Sequence, residues 1–178
     1  MNIVFWALLL TPFLITCIGV YLYNSIVALE NRVDNAWSQI SVQLKRRSDL
    51  IPNILEIAKQ YAEHEQAVFQ QVSAARTKLE NASSPVESAT ASKELTAKLG
   101  GVFAVAEDYP DLKSDRNFRQ VQEELSSTEN KIAYARQHYN DVVTAYNTRL
   151  EIFPSNIIAN LFTFNQRELF QESDQDID

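Results

Sequence analysis

The sequence predicts an all-α protein: an N-terminal transmembrane helix, then an antiparallel up-down four-helix bundle, then a short C-terminal helix. Three observations lead there. Residues 3–23 carry no charge, and about 20 apolar residues at 1.5 Å rise cover the roughly 30 Å hydrocarbon core of a bilayer. Only three Gly and five Pro occur among 178 residues, so the chain lacks the punctuation that many tight turns need. Across residues 118–153 apolar side chains recur in alternating steps of three and four over about five heptads, the seam of a bundle or coiled coil.

Residues 1–23 form the expected anchor. Trp6 near its start and Tyr21 and Tyr23 at its end suit the headgroup level. A cleaved signal peptide would need a basic leading segment and a small-residue cleavage site, and only Met1 and Asn2 precede the apolar run. Cys17 is the single cysteine, so no intramolecular disulfide can form. Thr16 before it and the apolar residues after it favour a thiol in lipid over an acylated cysteine. No Lys or Arg precedes the span, whereas Arg32, Lys45, Arg46 and Arg47 follow it, which by the positive-inside rule puts the bulk of the chain in the cytoplasm.

The bundle is expected over residues 24–154. Its first helix continues from the span with Ile26, Leu29, Val33, Trp37, Ile40 and Leu44 on one face. Pro52 then predicts a break, with Ser48 or Asp49 capping a second helix that carries Ile51, Leu55, Phe69, Val72 and Leu79. Ser83, Ser84 and Pro85 mark a turn. A third helix over residues 86–107 has Gly100 and Gly101 as its weak point and stops at Asp108-Tyr109-Pro110. The fourth carries the seam Phe118, Val121, Leu125, Thr128, Ile132, Ala135, Tyr139, Val142, Tyr146, Leu150 and Phe153. At roughly 58 Å it exceeds the roughly 36 Å first helix, so it must bend, break or pass beside the anchor. Short connections make the helices alternate in direction, which puts the turn at residues 45–52 and the loop at 108–115 together at the tip far from the membrane.

Pro154 ends the fourth helix. Residues 155–170 read as an apolar-rich helical segment that returns to the membrane side, with Ile157, Ile158, Leu161, Phe162, Phe164 and Phe170 forming a membrane-proximal or self-association surface. Only Arg167 is positive there, so affinity for a bilayer would come from apolar area alone, and packing on the bundle or on a neighbouring subunit is expected instead. Residues 171–178 form a disordered acidic tail.

Chemistry is sparse. A net charge of −7 argues against a nucleic-acid partner. A di-iron bundle needs Glu-x-x-His pairs, but Tyr61 and Ala135 stand three residues before His64 and His138. His64-Glu65 begins like a zinc-protease helix, yet Val68 occupies the place of the second His. Glu63, His64 and Glu65 read as a solvated helix face. No catalytic, cofactor-binding or metal-binding residues, cofactor or small-molecule substrate are therefore expected. Lys45, Arg46 and Arg47 lie roughly 35 Å beyond Tyr23 on a straight helix, several times the Debye length of about 8 Å, so they do not reach lipid. They are expected to pair with Glu107, Asp108 and Asp111 on the adjacent loop, the alternative being that with Asp49, Tyr109 and Asp111 they form a partner-docking tip. Tyr139 and Tyr146 serve core packing, each hydroxyl needing a partner. The repeated Tyr-Asn pairs suggest no chemistry of their own.

Many ordered segments resemble the LemA family of bacterial membrane-anchored proteins. They include Ala36-Trp37-Ser38-Gln39-Ile40, the run Val42-Gln43-Leu44-Lys45-Arg46-Arg47-Ser48-Asp49-Leu50-Ile51-Pro52-Asn53, Glu107-Asp108-Tyr109-Pro110-Asp111-Leu112-Lys113, Tyr139-Asn140, Tyr146-Asn147 and Phe153-Pro154-Ser155-Asn156. Ser41 departs from the family's common Ile-Asp-Val pattern without touching any proposed role. The resemblance implies a four-helix bundle behind an N-terminal anchor and no enzymatic activity. The expected function is a non-enzymatic scaffold or adaptor that self-assembles at the bacterial inner membrane, holding lipid through its N-terminal helix, a second copy of itself and a membrane-protein partner. A regulatory subunit of a membrane protease or envelope-stress system, and more remotely a metal-dependent bundle enzyme, are the alternatives.

Overall fold

A computed structural model describes the backbone of residues 2–171 and the side chains of residues 10–171. The Trp6 side chain and residues 172–178 of the acidic tail lie outside the described residues. Six helices and no strand occur among the described residues: α1 (Asn2–Tyr61), α2 (Gln66–Asn81), α3 (Pro85–Asp108), α4 (Pro110–Ser114), α5 (Arg116–Glu151) and α6 (Ser155–Leu161).

The span and the first helix of the domain are one element. α1 runs 60 residues with Pro12 and Pro52 inside it, which corrects the expected break at residues 48–52. Proline costs a helix its hydrogen bond to the carbonyl four residues back, and at Pro52 that carbonyl belongs to Ser48. Arg76 on α2 supplies the missing donor: its Nε lies 3.1 Å from the Ser48 carbonyl oxygen. The Ser48 hydroxyl donates to Glu80 Oε1 at 2.8 Å, and Arg76 pairs with Glu80 at 2.9 Å. An orphan acceptor thus becomes a three-residue polar node between α1 and α2, and the helix passes through.

α1 ends instead at a short turn, where the Glu65 amide donates to the Ala62 carbonyl at 3.1 Å. Glu63, His64 and Glu65 lie in this turn rather than on a helix face. The length mismatch disappears with this shift. Beyond the span α1 now extends from residue 24 to residue 61, about 57 Å, against about 54 Å for the 36 residues of α5.

α3 begins with a reciprocal cap. The Ser84 hydroxyl accepts from the Glu87 amide, while Glu87 Oε2 accepts from the Ser83 amide and hydroxyl, each at 2.8 Å. These donors hold the Glu87 carboxyl below its ordinary range. α3 passes Gly100 and Gly101 unbroken. A β-carbon at Gly101 would lie 3.3 Å from Val68 Cγ1 on α2, so this glycine allows the two helices to approach closely.

Contacts along the domain stretch of α1 reach α5 and its N-cap Asp115. The N-terminal part of that stretch lies near the C-terminal end of α5, and the C-terminal end of α1 lies near the start of α5. Ser25 accepts from Arg149 Nη2 at 3.2 Å, Arg47 pairs with Glu129, Arg46 Nη2 lies 3.9 Å from Glu124, and Tyr61 donates to Asp115 at 3.1 Å. α2 packs against α3 and α1, and α4 bridges α3, α1 and α5. The core between them buries Ile40, Ile54, Val72, Leu95, Leu99 and Tyr146. Along α5 the seam is buried as read at Phe118, Leu125, Thr128, Ile132, Ala135, Tyr139, Tyr146 and Leu150. Val143 rather than Val142 is the buried valine, and Phe153 is exposed.

Within the described residues, the first part of α1 is long and apolar enough to cross a membrane. Phe13, Leu14, Ile15, Ile18 and Val20 are exposed there, and so is the free thiol of Cys17.

Candidate functional site

The expected tip divides in two. Lys45 sits exposed in mid-α1, paired with Asp49 at 3.2 Å. Arg46 faces Glu124, and Arg47 is buried beneath α5 against Glu129. Burial lowers the Arg47 guanidinium from its ordinary value, and Glu129 opposes that shift. Tyr109 and Asp111 lie where α3 meets α4, beside the turn that ends α1. Lys45 is sixteen residues, about 24 Å of helix, short of that turn. The structure therefore does not bring Lys45, Arg46, Arg47 and Asp49 together with Tyr109 and Asp111, and the pairing with Glu107, Asp108 and Asp111 does not form; Glu107 pairs with Lys113.

A different constellation stands out, built on the repeated Tyr-Asn pairs. Tyr139-Asn140 and Tyr146-Asn147 are seven residues apart, so they share one face of α5 separated by about 10.5 Å. Three residues of extended chain span nearly the same distance, and the chain after α6 matches it. Asn147 accepts from the Arg167 amide at 2.9 Å and donates to the Arg167 carbonyl at 2.9 Å. Asn140 accepts from the Phe170 amide at 2.8 Å and donates to the Phe170 carbonyl at 3.3 Å. Tyr146 donates to the Asn165 carbonyl at 3.2 Å and Tyr139 to the Glu168 carbonyl at 2.8 Å.

Every one of these bonds goes to backbone, so the clamp holds this segment whatever its side chains. Register comes from two of its side chains. Phe170 is buried beside Trp37, ring centroids 6.1 Å apart, and Trp37 also meets Tyr139 at 5.7 Å. Arg167 reaches α1 at Glu30, 3.1 Å, and Asp34, 3.6 Å. Burial raises the Tyr139 and Tyr146 phenols, with the Arg167 guanidinium opposing. Residues 162–171 are thus a strap in the groove between α1 and α5.

The segment expected to be helical over residues 155–170 is helical only to Leu161. Thr163 turns it off at φ 55°, with the Phe164 amide donating to the Ala159 carbonyl at 3.0 Å and the Thr163 amide to Asn160 at 3.4 Å, the bond pattern of a Schellman cap. Ser155, buried, places its hydroxyl 2.7 Å from the Arg149 carbonyl and 3.0 Å from that of Ile152, closing the end of α5. Ile158, Phe164 and Phe170 pack on the domain, whereas Ile157, Leu161 and Phe162 are exposed.

Sequence reasoning passed over Asn140 and Asn147. The signal available was the same dipeptide recurring at heptad spacing beside the seam; the strap it grips lies some 20 to 30 residues further on. No group of three or more His, Cys, Asp or Glu poised for a metal ion occurs among the described residues.

Together these elements define a helical protein with one candidate membrane span and a strapped C-terminal segment. The LemA family model matches residues 36–177, and the chain belongs to the LemA family. It is 27% identical over 172 residues to "Protein LemA" of Metamycoplasma hominis, covering 91% of this chain and 77% of that protein. It is 24% identical over 176 residues to "Magnetosome protein MamQ 2" of Paramagnetospirillum magneticum and, equally, to "Magnetosome protein MamQ" of Magnetospirillum gryphiswaldense. Each of those matches covers 84% of this chain and 65% of the relative. None of these names denotes an enzyme.

Proposed function

We propose that the protein is a non-enzymatic scaffold that self-associates at the bacterial inner membrane. α1 crosses the bilayer once, residues 24–154 form an antiparallel up-down four-helix bundle, and the bundle faces the cytoplasm. The observation that supports this reading most is continuity. α1 passes from the candidate span into the domain without a break, so the domain has no hinge at the membrane and its outward faces keep a fixed orientation to the bilayer. Such a body suits holding partners in place.

The face on which copies meet is a groove of about 860 Å³ between α1 and α5, lined by Ser38, Gln39, Val42, Glu123, Ser127 and Tyr134. Val42 and Tyr134 are 60% and 77% exposed there, and large apolar side chains left open beside small ones favour a packed contact. Full-length copies bearing two different tags, expressed together and gently solubilised, test the reading. Each tag should retrieve the other, and Val42→Glu with Tyr134→Glu should abolish that. Retrieval of one tag only, in every mild detergent tried, would refute self-association.

A further inference from the structure

The clamp holds α6 at a defined height. A β-carbon at Gly19 would lie 3.9 Å from Ile158 Cδ1, and the Tyr23 ring meets Phe162 at 4.8 Å and Phe164 at 5.8 Å. α6 therefore lies beside the last turn of the candidate span, at the level where Tyr21 and Tyr23 leave the apolar run. Its two faces differ. Ser155 and Ala159 are buried on the domain, while Phe153, Leu161, Ile157, Phe162 and Ile152 are 78%, 71%, 56%, 52% and 43% exposed. Residues 152–166 contain no charged side chain.

We propose that this outward face of α6 and its flanks is a second lipid contact, a foot inserted into the headgroup and upper acyl region beside the transmembrane helix. The proposal rests on the reading of α1 as a membrane span. Height selects the occupant: α6 and its flank meet α1 at Gly19 and Tyr23, the same stretch of α1 in which Ile18, Val20 and Tyr21 are exposed. At that level, beside the end of the span, aromatic and aliphatic side chains gain by entering the interface. The short amphipathic helix carries no basic residue, so burial of apolar area and not attraction to anionic lipid drives insertion. Sequence alone favoured packing of this segment on protein; the structure divides it, one face on the domain and the other free.

The test uses the full chain in phosphatidylcholine vesicles. Spin labels are placed singly by Phe153→Cys, Leu161→Cys, Val20→Cys and Glu63→Cys, each with Cys17→Ser, and their collisions with oxygen and with a water-soluble nickel chelate are compared. Labels at positions 153 and 161 should resemble the one at 20, with oxygen access several-fold favoured over nickel, and the label at 63 in the distal turn should show the reverse. Neither raised salt nor added phosphatidylglycerol should change this. Nickel access at 161 equal to that at 63 would overturn the proposal, as would shielding from both reagents, which would put protein over the foot. A Val20 label that reads as aqueous, or vesicles that float without the chain, would overturn the span reading as well, a failure seen separately from the behaviour of position 161.

Discussion

A φ of 55° at Thr163 places a β-branched residue where glycine is the usual occupant, at a cost of about 1 to 2 kcal/mol. The Schellman bonds and the clamped strap beyond it hold that conformation. Thr163→Gly should therefore tighten the strap, slowing amide exchange across residues 164–170 in the full chain; unchanged or faster exchange would show that no strain is stored there. The two α3 glycines separate by the same reasoning. Gly100 has no atom within 4 Å of a built β-carbon, whereas Gly101 meets Val68. Gly100→Ala should raise stability by about 0.5 to 1 kcal/mol in thermal melts, and Gly101→Ala should gain less. Equal gains would mean that the α2–α3 approach does not depend on the glycine. Pro52 shows what a single chain position conceals: the break it signals is cancelled by Arg76, a partner 24 residues away that no local pattern announces.

Among the elements, α5 was the most legible. Its seam follows from period alone, and Leu125 and Ile132 are buried as that period requires. Leu125→Ala or Ile132→Ala should cost about 2 to 5 kcal/mol, the range for buried large-to-small changes, measured by chemical denaturation of the purified protein. Wild-type midpoints for both would contradict the packing. The strap was not legible, because its bonds run from side chains to backbone and leave no periodic trace in the strap's own residues. Its phenols do make it testable by pH. Tyr139 and Tyr146 hold their protons more firmly in the folded chain, so their contribution is complete below the ordinary phenol value of about 10 and is lost as pH climbs through the raised values. Trp37 fluorescence, followed in Trp6→Phe, should report release of the strap in that alkaline window. If the same transition persists in Tyr139→Phe with Tyr146→Phe, the clamp is not its origin.

For the molecule as a whole, the all-helical class and the apolar N-terminal run could be read directly, because length and composition alone limit such a chain to few long helices. The expected tip could not, since moving one turn from residue 52 to residue 62 withdraws Lys45, Arg46 and Arg47 into the side of the domain. Orientation rests on Arg32 and the later basic residues following the span. Protease added outside intact spheroplasts should leave the domain whole, and digestion from outside, with a cytoplasmic control intact, would reverse the assignment. Copies of this domain, fixed on continuous α1 helices, are proposed to assemble in the membrane. Stepwise photobleaching of singly labelled full-length chains in vesicles drawn from native membranes tests this most directly. Most spots should bleach in two or more steps, falling to one with Val42→Glu and Tyr134→Glu; single-step bleaching of the unaltered chain would refute self-association.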